Sequence, residues 1–407
     1  MHENMTILGI IMVILGYGYY SKLLNRWYIS GPMVFTTIGI LLSPLFFGKE
    51  FLHLEGEIVQ TMAEIALIVV LFADASTLDI KRFGRGWRMP IRMLGIALPL
   101  TILFAAGVAF WFFPEESPLY LLLLSLFLAP TDAALGKAVV TDPIVPERIR
   151  SAINVESGLN DGFVFPVLIT VVALIGSGQE QMQGGWLGYV LQQIALGVVG
   201  GVVVGWIGSF QAKISLRLDW LEHSYRNLIP FALAIFAYYF SEYIGGNGYI
   251  GAFIAGMVMG NLTPELHENI EEFVESEGEL LILVIFTLFG LVIVPMVVDT
   301  WSWKVLLYAL LSLTLFRIVP VVASLTGLGL DWPTKLFLGW FGPRGIASIL
   351  YMMIVVHQLG GAEGHETIYG TVTLTVLLSI FLHGLSAKPL AKLYAKHMES
   401  LRGRSGE

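Results

Sequence analysis

A few ionisable side chains in this chain sit where almost every neighbour is apolar. Thr131-Asp132 follows Ala129-Pro130, and further along the run Glu156-Ser157-Gly158-Leu159-Asn160-Asp161 interrupts another apolar stretch. On a helix, Glu156 and Ser157 lie one turn before Asn160 and Asp161 on the same face. A charge at the centre of a bilayer costs roughly 2.5–3.5 kcal/mol even on the lenient insertion scale, so such groups mark ion pathways, proton relays or buried pairs. A carboxylate held there needs a compensating positive charge, and a proton and a metal ion then compete for it. Competition for one group suffices to couple the movement of one to the other. Asn160, beside Asp161, is an amide that carries no second proton, so the expected stoichiometry is one for one and electroneutral.

Two helix breaks must position these groups. Pro130 removes a backbone donor and disrupts the preceding turn, freeing carbonyls that a bound cation could use. A second interruption falls at Gly342-Pro343-Arg344-Gly345. Discontinuous helices are how secondary transporters build ion sites at membrane depth, and one break in each half of the chain implies inverted repeats with the site where the breaks cross. Arg317 and Arg344 also lie in apolar segments and need partners. Glu156 with Asn160 is the expected match, with Arg317 bound directly to Glu156 in a structural ionic cluster. Asp74, in Leu71-Phe72-Ala73-Asp74-Ala75, is a further intramembrane carboxylate. For it and for Glu64, a direct ion role stands level with pairing to an interfacial basic residue or facing a water-filled vestibule, and Asp74 is kept among the ion-binding candidates.

The composition supplies the elements. The chain has 407 residues, of which 56% are apolar and only 13% charged, with mean hydropathy +0.76, against roughly 25% charged residues in a soluble domain. The absence of Cys excludes disulfides, thiolate metal sites and thiol catalysis. About thirteen apolar segments follow one another, most near the ~20 residues needed to cross a bilayer, which makes the fold class an all-α polytopic membrane protein. With the N-terminus outside, the connections that fall in the cytoplasm carry Lys22 and Arg26, Lys81 to Arg92, Lys137 to Arg150, Lys213 to Arg226 and the tail lysines, whereas the other side has little beyond Lys49 and Lys304. The C-terminus is then cytoplasmic, and the first segment is read as retained rather than cleaved. The stretch 265–275 is acidic with helical apolar spacing, either a linker helix or a collar that concentrates cations. Gly197, Gly201 and Gly205 form a small-residue ridge expected to pack within the chain. The histidines fall mostly in connections, among them His53, His223, His267 and His365, and none is singled out as a pH sensor.

Other function classes find less support. A channel requires a continuous polar pore or a filter motif, and neither is visible. An intramembrane enzyme needs a nucleophile and base, and no His-Glu-x-x-His or similar set is present, so no catalytic residue and no cofactor is expected.

Taken together, the Thr131-Asp132 break, the Glu-Ser-Gly-Leu-Asn-Asp-Gly run from Glu156, the Gly248 to Gly256 segment, the Arg317 segment and Gly342-Pro343-Arg344-Gly345 resemble the monovalent cation:proton antiporters of the NhaP/NHE family, in family order over nearly the whole chain. The resemblance implies thirteen transmembrane helices in the inverted-repeat fold typified by NhaA, with two crossed discontinuous helices. It implies one antiporter unit over 1–390, with core helices at about 58–176 and 279–386, dimerisation helices at about 1–50 and 186–262, and a short cytoplasmic tail over 391–407. It also implies a homodimer in the cell (inner) membrane, elevator-type alternating access and a part in pH homeostasis. Asp161 would take the transported Na+ or Li+ and the proton, with Asp132, Thr131 and Ser157 beside it as Na+ ligands. A K+/H+ exchanger of the same fold is the alternative. The substrates would be a monovalent cation and the proton, the setting a lipid bilayer, and nucleic acid is not expected as a partner. In relatives an acidic residue often follows Leu-Phe directly, whereas here Ala73 intervenes before Asp74.

Overall fold

The computed structural model describes residues 2–43, 56–78, 87–176, 186–263, 266 and 279–405, and among them all regular structure is helical. Each apolar span read from the sequence holds a helix or a broken pair. In order these are α1 (His2–Arg26), α2 (Gly31–Leu41), α3 (Gly56–Ser76), α4 (Arg88–Phe112), α5 (Pro118–Phe127), α6 (Ala133–Val140), α7 (Glu147–Gly176) and α8 (Trp186–Arg217). They continue as α9 (Leu228–Tyr243), α10 (Gly248–Leu262), α11 (Glu279–Leu288, extended by a π turn at Phe289–Ile293), α12 (Trp303–Ser324), α13 (Trp332–Trp340), α14 (Ile346–Gln358) and α15 (Glu366–Ser405). Apart from buried Leu266, the acidic stretch 265–275 lies outside the described residues, as do Lys49, Lys81, Arg82 and Arg85.

Prolines shape the long helices without ending them. Pro99 and Pro295 lack an N–H, and just before each the chain opens into a π turn, at Met93–Ala97 and Phe289–Ile293. Trp111, Trp206, Trp303 and Tyr243 stand largely exposed on the helix surfaces, an arrangement suited to contact with lipid and its interface rather than with water.

Small residues set the closest helix contacts, because in lipid van der Waals packing rather than water exclusion draws helices together. The expected glycine ridge of α8 packs within the chain on α10. A Cβ at Gly197, Gly201 or Gly205 would lie 2.7 Å from the Asn247 carbonyl, 2.5 Å from the Gly251 carbonyl and 2.9 Å from Ala255 Cα. The opposite side of α10 meets α3 as closely, with Gly256 and Gly260 against the carbonyls of Phe72 and Ser76. Gly39 and Gly290 face the carbonyls of Thr287 and Thr36 in the same way and join α2 to α11.

The residues from 391 onward, expected as a short tail, continue α15 as helix to Ser405. At 1.5 Å per residue this 40-residue helix is about 60 Å long, twice the ~30 Å hydrocarbon core. Its far half is held by side chains at the start of α13. Tyr394 stacks on Phe337 at 4.3 Å and shares a 2.8 Å hydrogen bond with the Thr334 hydroxyl, and His397 pairs with Asp331. Asp331 also caps α13 by accepting the Thr334 N–H at 3.3 Å.

Burial pushes the Asp331 carboxyl up, but the hydrogen bonds from Thr334 and His397 outweigh it and hold the group below its usual range. A depressed carboxyl contributes stability at neutral pH that is lost as pH falls through its folded-state value. Asp331→Ala should therefore destabilise the protein by about 1 kcal/mol at neutral pH, as N-cap removal does, and by less in acid. Thermal unfolding at the two pH values checks this, and an equal gap at both would contradict it.

Candidate functional site

The site is made by two interruptions in the helical backbone. After α5 the chain runs without helical bonding through Pro130, which has no N–H to offer and disfavours helical geometry at Ala129. After α13 it does the same between Phe341 and Gly345. The two breaks lie across each other. The Asp132 N–H donates to the Pro343 carbonyl at 2.8 Å, and the Ile346 N–H donates to Asp132 Oδ2 at 2.8 Å. Arg344 Nη1 donates to the carbonyls of Ala129 and Pro130 at 2.8 and 2.9 Å, and its main-chain N–H donates to Ser379 Oγ at 2.7 Å.

The electrostatics follow from helix ends. The Asp132 carboxylate meets the N-terminus of α14, and the Arg344 guanidinium meets the C-terminus of α5, so each charge faces the dipole end that favours it. The glycines of Gly342-Pro343-Arg344-Gly345 make room for these contacts. A Cβ on Gly345 would fall 1.9 Å from Asp132 Oδ2, and one on Gly342 would fall 1.8 Å from Arg317 Nε.

Helix α7 crosses beside the breaks and supplies the remaining groups. Glu156 receives Arg317 in a two-pronged pair at 2.9 and 2.8 Å, with both residues buried. Ser157 Oγ donates to the Thr131 carbonyl at 2.6 Å, and Asn160 Nδ2 donates to Thr131 Oγ1 at 2.5 Å. Asp161, one residue on and near the middle of α7, is 4% exposed, and its Oδ1 has no hydrogen-bond partner among the described residues. Asp74 and Asp132 are partly exposed and lie within electrostatic reach of Asp161 and of each other.

The expected pairing of Arg317 with Glu156 is present, and Arg344 lies within electrostatic reach of both, although its hydrogen bonds go elsewhere. Arg344 binds main-chain carbonyls, because Arg317 already occupies both oxygens of Glu156 and the break in α5 offers acceptors without helical partners. Asn160 serves Thr131 rather than an arginine. The structure brings Asp161, Asp132, Asp74, Thr131 and Ser157 into one region, although no group of three His, Asp or Glu among the described residues converges closely enough to enclose a metal ion. Ser379 and the main-chain groups of Pro343 and Ile346 were not anticipated from the sequence. The two glycines flanking Pro343-Arg344 were the available signal for such close backbone approach.

A cavity touches this region, and a polar pocket lies near it beside α3 and α7. A polar pocket of about 330 Å³ is lined by Thr77, Trp87, Glu147, Arg150, Ser151 and Asn154, and the Thr77 hydroxyl donates to the Asp74 carbonyl at 2.8 Å. An apolar cavity of about 270 Å³ touches Asp161 itself, with Phe165, Ile194, Tyr249, Ile250 and Phe253 around it. Asp161 thus borders an apolar cavity, and a buried carboxylate with an unpartnered oxygen can hold either a proton or a cation.

Removing one member of the Glu156–Arg317 pair leaves the other charge buried and unpaired. Glu156→Gln or Arg317→Met alone should each destabilise the protein by about 3–5 kcal/mol, and the apolar double replacement Glu156→Leu with Arg317→Met should recover most of that. Thermal unfolding of the three purified variants checks it, and single variants as stable as the parent would refute it.

Comparison with known proteins agrees with this geometry. The chain is 28% identical to a Na(+)/H(+) antiporter of Schizosaccharomyces pombe, covering 90% of this chain and 86% of the relative. A second, probable Na(+)/H(+) antiporter of the same yeast is 25% identical, but the chain spans only 48% of its length. A K(+)/H(+) antiporter NhaP2 of Shewanella is 21% identical over 82% of this chain and 57% of its own. Among solved structures, the sodium proton antiporter MjNhaP1 from Methanocaldococcus jannaschii superposes with a TM-score of 0.75 over 96% of this chain and 99% of that one, at 20% identity, a likeness of fold. The sodium/hydrogen exchanger, transmembrane family matches residues 9–393. With its crossed helix breaks and successive apolar helices, this multi-pass membrane protein belongs to the sodium/hydrogen exchanger family.

Proposed function

We propose that this cation:proton antiporter exchanges Na+, or Li+, for H+ one for one, with the two ions competing for Asp161. The observation that carries the reading is the Asp161 carboxylate itself: buried at mid-helix, with one oxygen free of any partner among the described residues, beside the crossing of the two breaks. Thr131, Asp132, Ser157 and Asp74 are the neighbours that would complete the cation's shell. Asn160 donates to Thr131 and carries no charge, which supports a single exchanged charge per cycle. Exchange of K+ is the second reading, favoured by the K(+)/H(+) antiporters among the similar proteins. No cofactor beyond the transported ions enters this scheme, and no catalytic residue is assigned.

The mechanism follows from competition at Asp161. In each state of the cycle the carboxylate would exchange its proton for a cation from one side only. A shift of the core helices, about 58–176 and 279–386, against the helices of about 1–50 and 186–262 would open the other side. The close contacts of α10 on α3 and of α2 on α11 would guide that movement. The exposed apolar surfaces of α1 and α8 are the faces that would meet a second copy in a homodimer. The distribution of Lys and Arg supports an N-terminus outside, a cytoplasmic C-terminus and a place in the cell membrane, where such exchange serves pH homeostasis.

Cation-driven dequenching of an internal pH dye in proteoliposomes tests the reading with Na+, Li+ and K+. Asp161→Asn keeps the shape and removes the titrating charge, so its dequenching should vanish for every cation. Full activity in that variant would place the site elsewhere, and a current that scales with turnover would refute one-for-one exchange. Gly345→Ala should lower the rate by about tenfold or more, because its Cβ displaces Asp132 and small misplacements at a reacting centre are costly. Gly136→Ala, with open space around its Cβ, should leave the rate unchanged in the same assay.

A further inference from the structure

In a continuous α-helix the Arg344 N–H would donate to the carbonyl of Trp340, four residues before it. The break between α13 and α14 removes that bond. Two side chains on α15 stand in its place. The Arg344 N–H donates to Ser379 Oγ at 2.7 Å, Ser379 Oγ lies 3.1 Å from His383 Nδ1, and His383 Nε2 lies 3.0 Å from the Trp340 carbonyl. All three of Arg344, Ser379 and His383 are buried.

The chemistry of the partners sets the direction of each bond. The Trp340 carbonyl can only accept, so Nε2 carries a proton. Ser379 Oγ already accepts from Arg344 and has its own hydrogen to give. The nearer contact of Nδ1 is this hydroxyl, at 3.1 Å against 3.3 Å to the Ser379 carbonyl, so Nδ1 is the acceptor. The relay therefore runs without interruption from Arg344 N–H through Ser379 O–H and the neutral imidazole to the Trp340 carbonyl. Trp340 is held from a second side, since its ring stacks on His383 at 4.8 Å and its indole N–H donates to Ser386 Oγ at 3.0 Å.

We propose that His383, together with Ser379, is a positioning residue for ion exchange: it splices the two ends of the α13–α14 break and so fixes the Pro343 carbonyl and the Ile346 N–H against Asp132. His383 does not touch the ion. The inference rests on the reading of Asp132 and Asp161 as the exchange site, and it assigns the geometry of that site to a histidine on a third helix. Loss of the relay lets the Phe341–Gly345 segment rotate, and Asp132, which both gives to and accepts from that segment, moves with it.

Initial rates of dequenching against cation concentration, read with the thermal stability of each purified variant, test this. His383→Ala and Ser379→Ala should each raise the apparent KM for Na+ by about tenfold, as expected for loss of a shell that orients a site, with thermal stability close to the parent. His383→Gln keeps one donor and one acceptor and should stay within about threefold of the parent KM. Folded alanine variants with the parent KM would overturn the proposal, as would a glutamine variant as impaired as the alanine. Should His383→Ala fail to fold, Ser379→Ala, which removes a single hydroxyl, decides by the same KM criterion. An active Asp161→Asn would overturn the reading of the site and this inference with it. An inactive Asp161→Asn with unchanged KM in the alanine variants would overturn this inference alone.

Discussion

Main-chain groups left over at a helix break must find partners, and at membrane depth there is no water to provide them. The whole site depends on that constraint. Two breaks placed across each other satisfy one another, since the Asp132 N–H takes the Pro343 carbonyl and the Asp132 carboxylate takes the Ile346 N–H. The carbonyls that remain, of Ala129 and Pro130, are taken by the Arg344 guanidinium. A break alone would be a defect. As a crossed pair the breaks become a rigid frame that holds a carboxylate at a helix N-terminus.

The charges around this frame differ in how they are paired. Glu156 and Arg317 neutralise each other with ideal geometry and lock α7 against α12. Arg344 is spread over two carbonyls. The Asp132 carboxylate accepts the Ile346 main-chain N–H. Asp161 keeps a buried oxygen without a partner among the described residues, which is the feature the proposed exchange uses. In the proposed exchange, such a carboxylate acts as a switch between a proton and a metal cation.

Much of this was legible in the residues. Glu156 and Arg317 could be matched because a buried acid and a buried base in an otherwise apolar chain have few alternatives. The two breaks could be found because Pro and Gly interrupt helical bonding whatever the surroundings. The glycine ridge of α8 announced a close helix contact. The hydrogen-bond partners of Arg344 were not legible, because a linear reading counts side-chain charges and does not show that a neighbouring break presents bare carbonyls. The Asn160 partner was hidden too, since Thr131 comes close only when α7 packs on the α5–α6 break.

The sequence by itself determined that the protein is a bundle of membrane-spanning helices, that two of those helices are broken, and that carboxylates lie within its apolar segments. These follow from hydropathy, from the missing N–H of proline and from the cost of burying charge, all of which act locally along the chain. Only the tertiary structure decided which groups face which: that the breaks cross, that Arg344 serves carbonyls, that α10 lies between α8 and α3, and that His383 and Ser379 close the gap at Trp340. Those facts are set by hydrogen bonds between residues tens or hundreds of positions apart, whose partners are chosen by packing and leave no periodic mark on the chain.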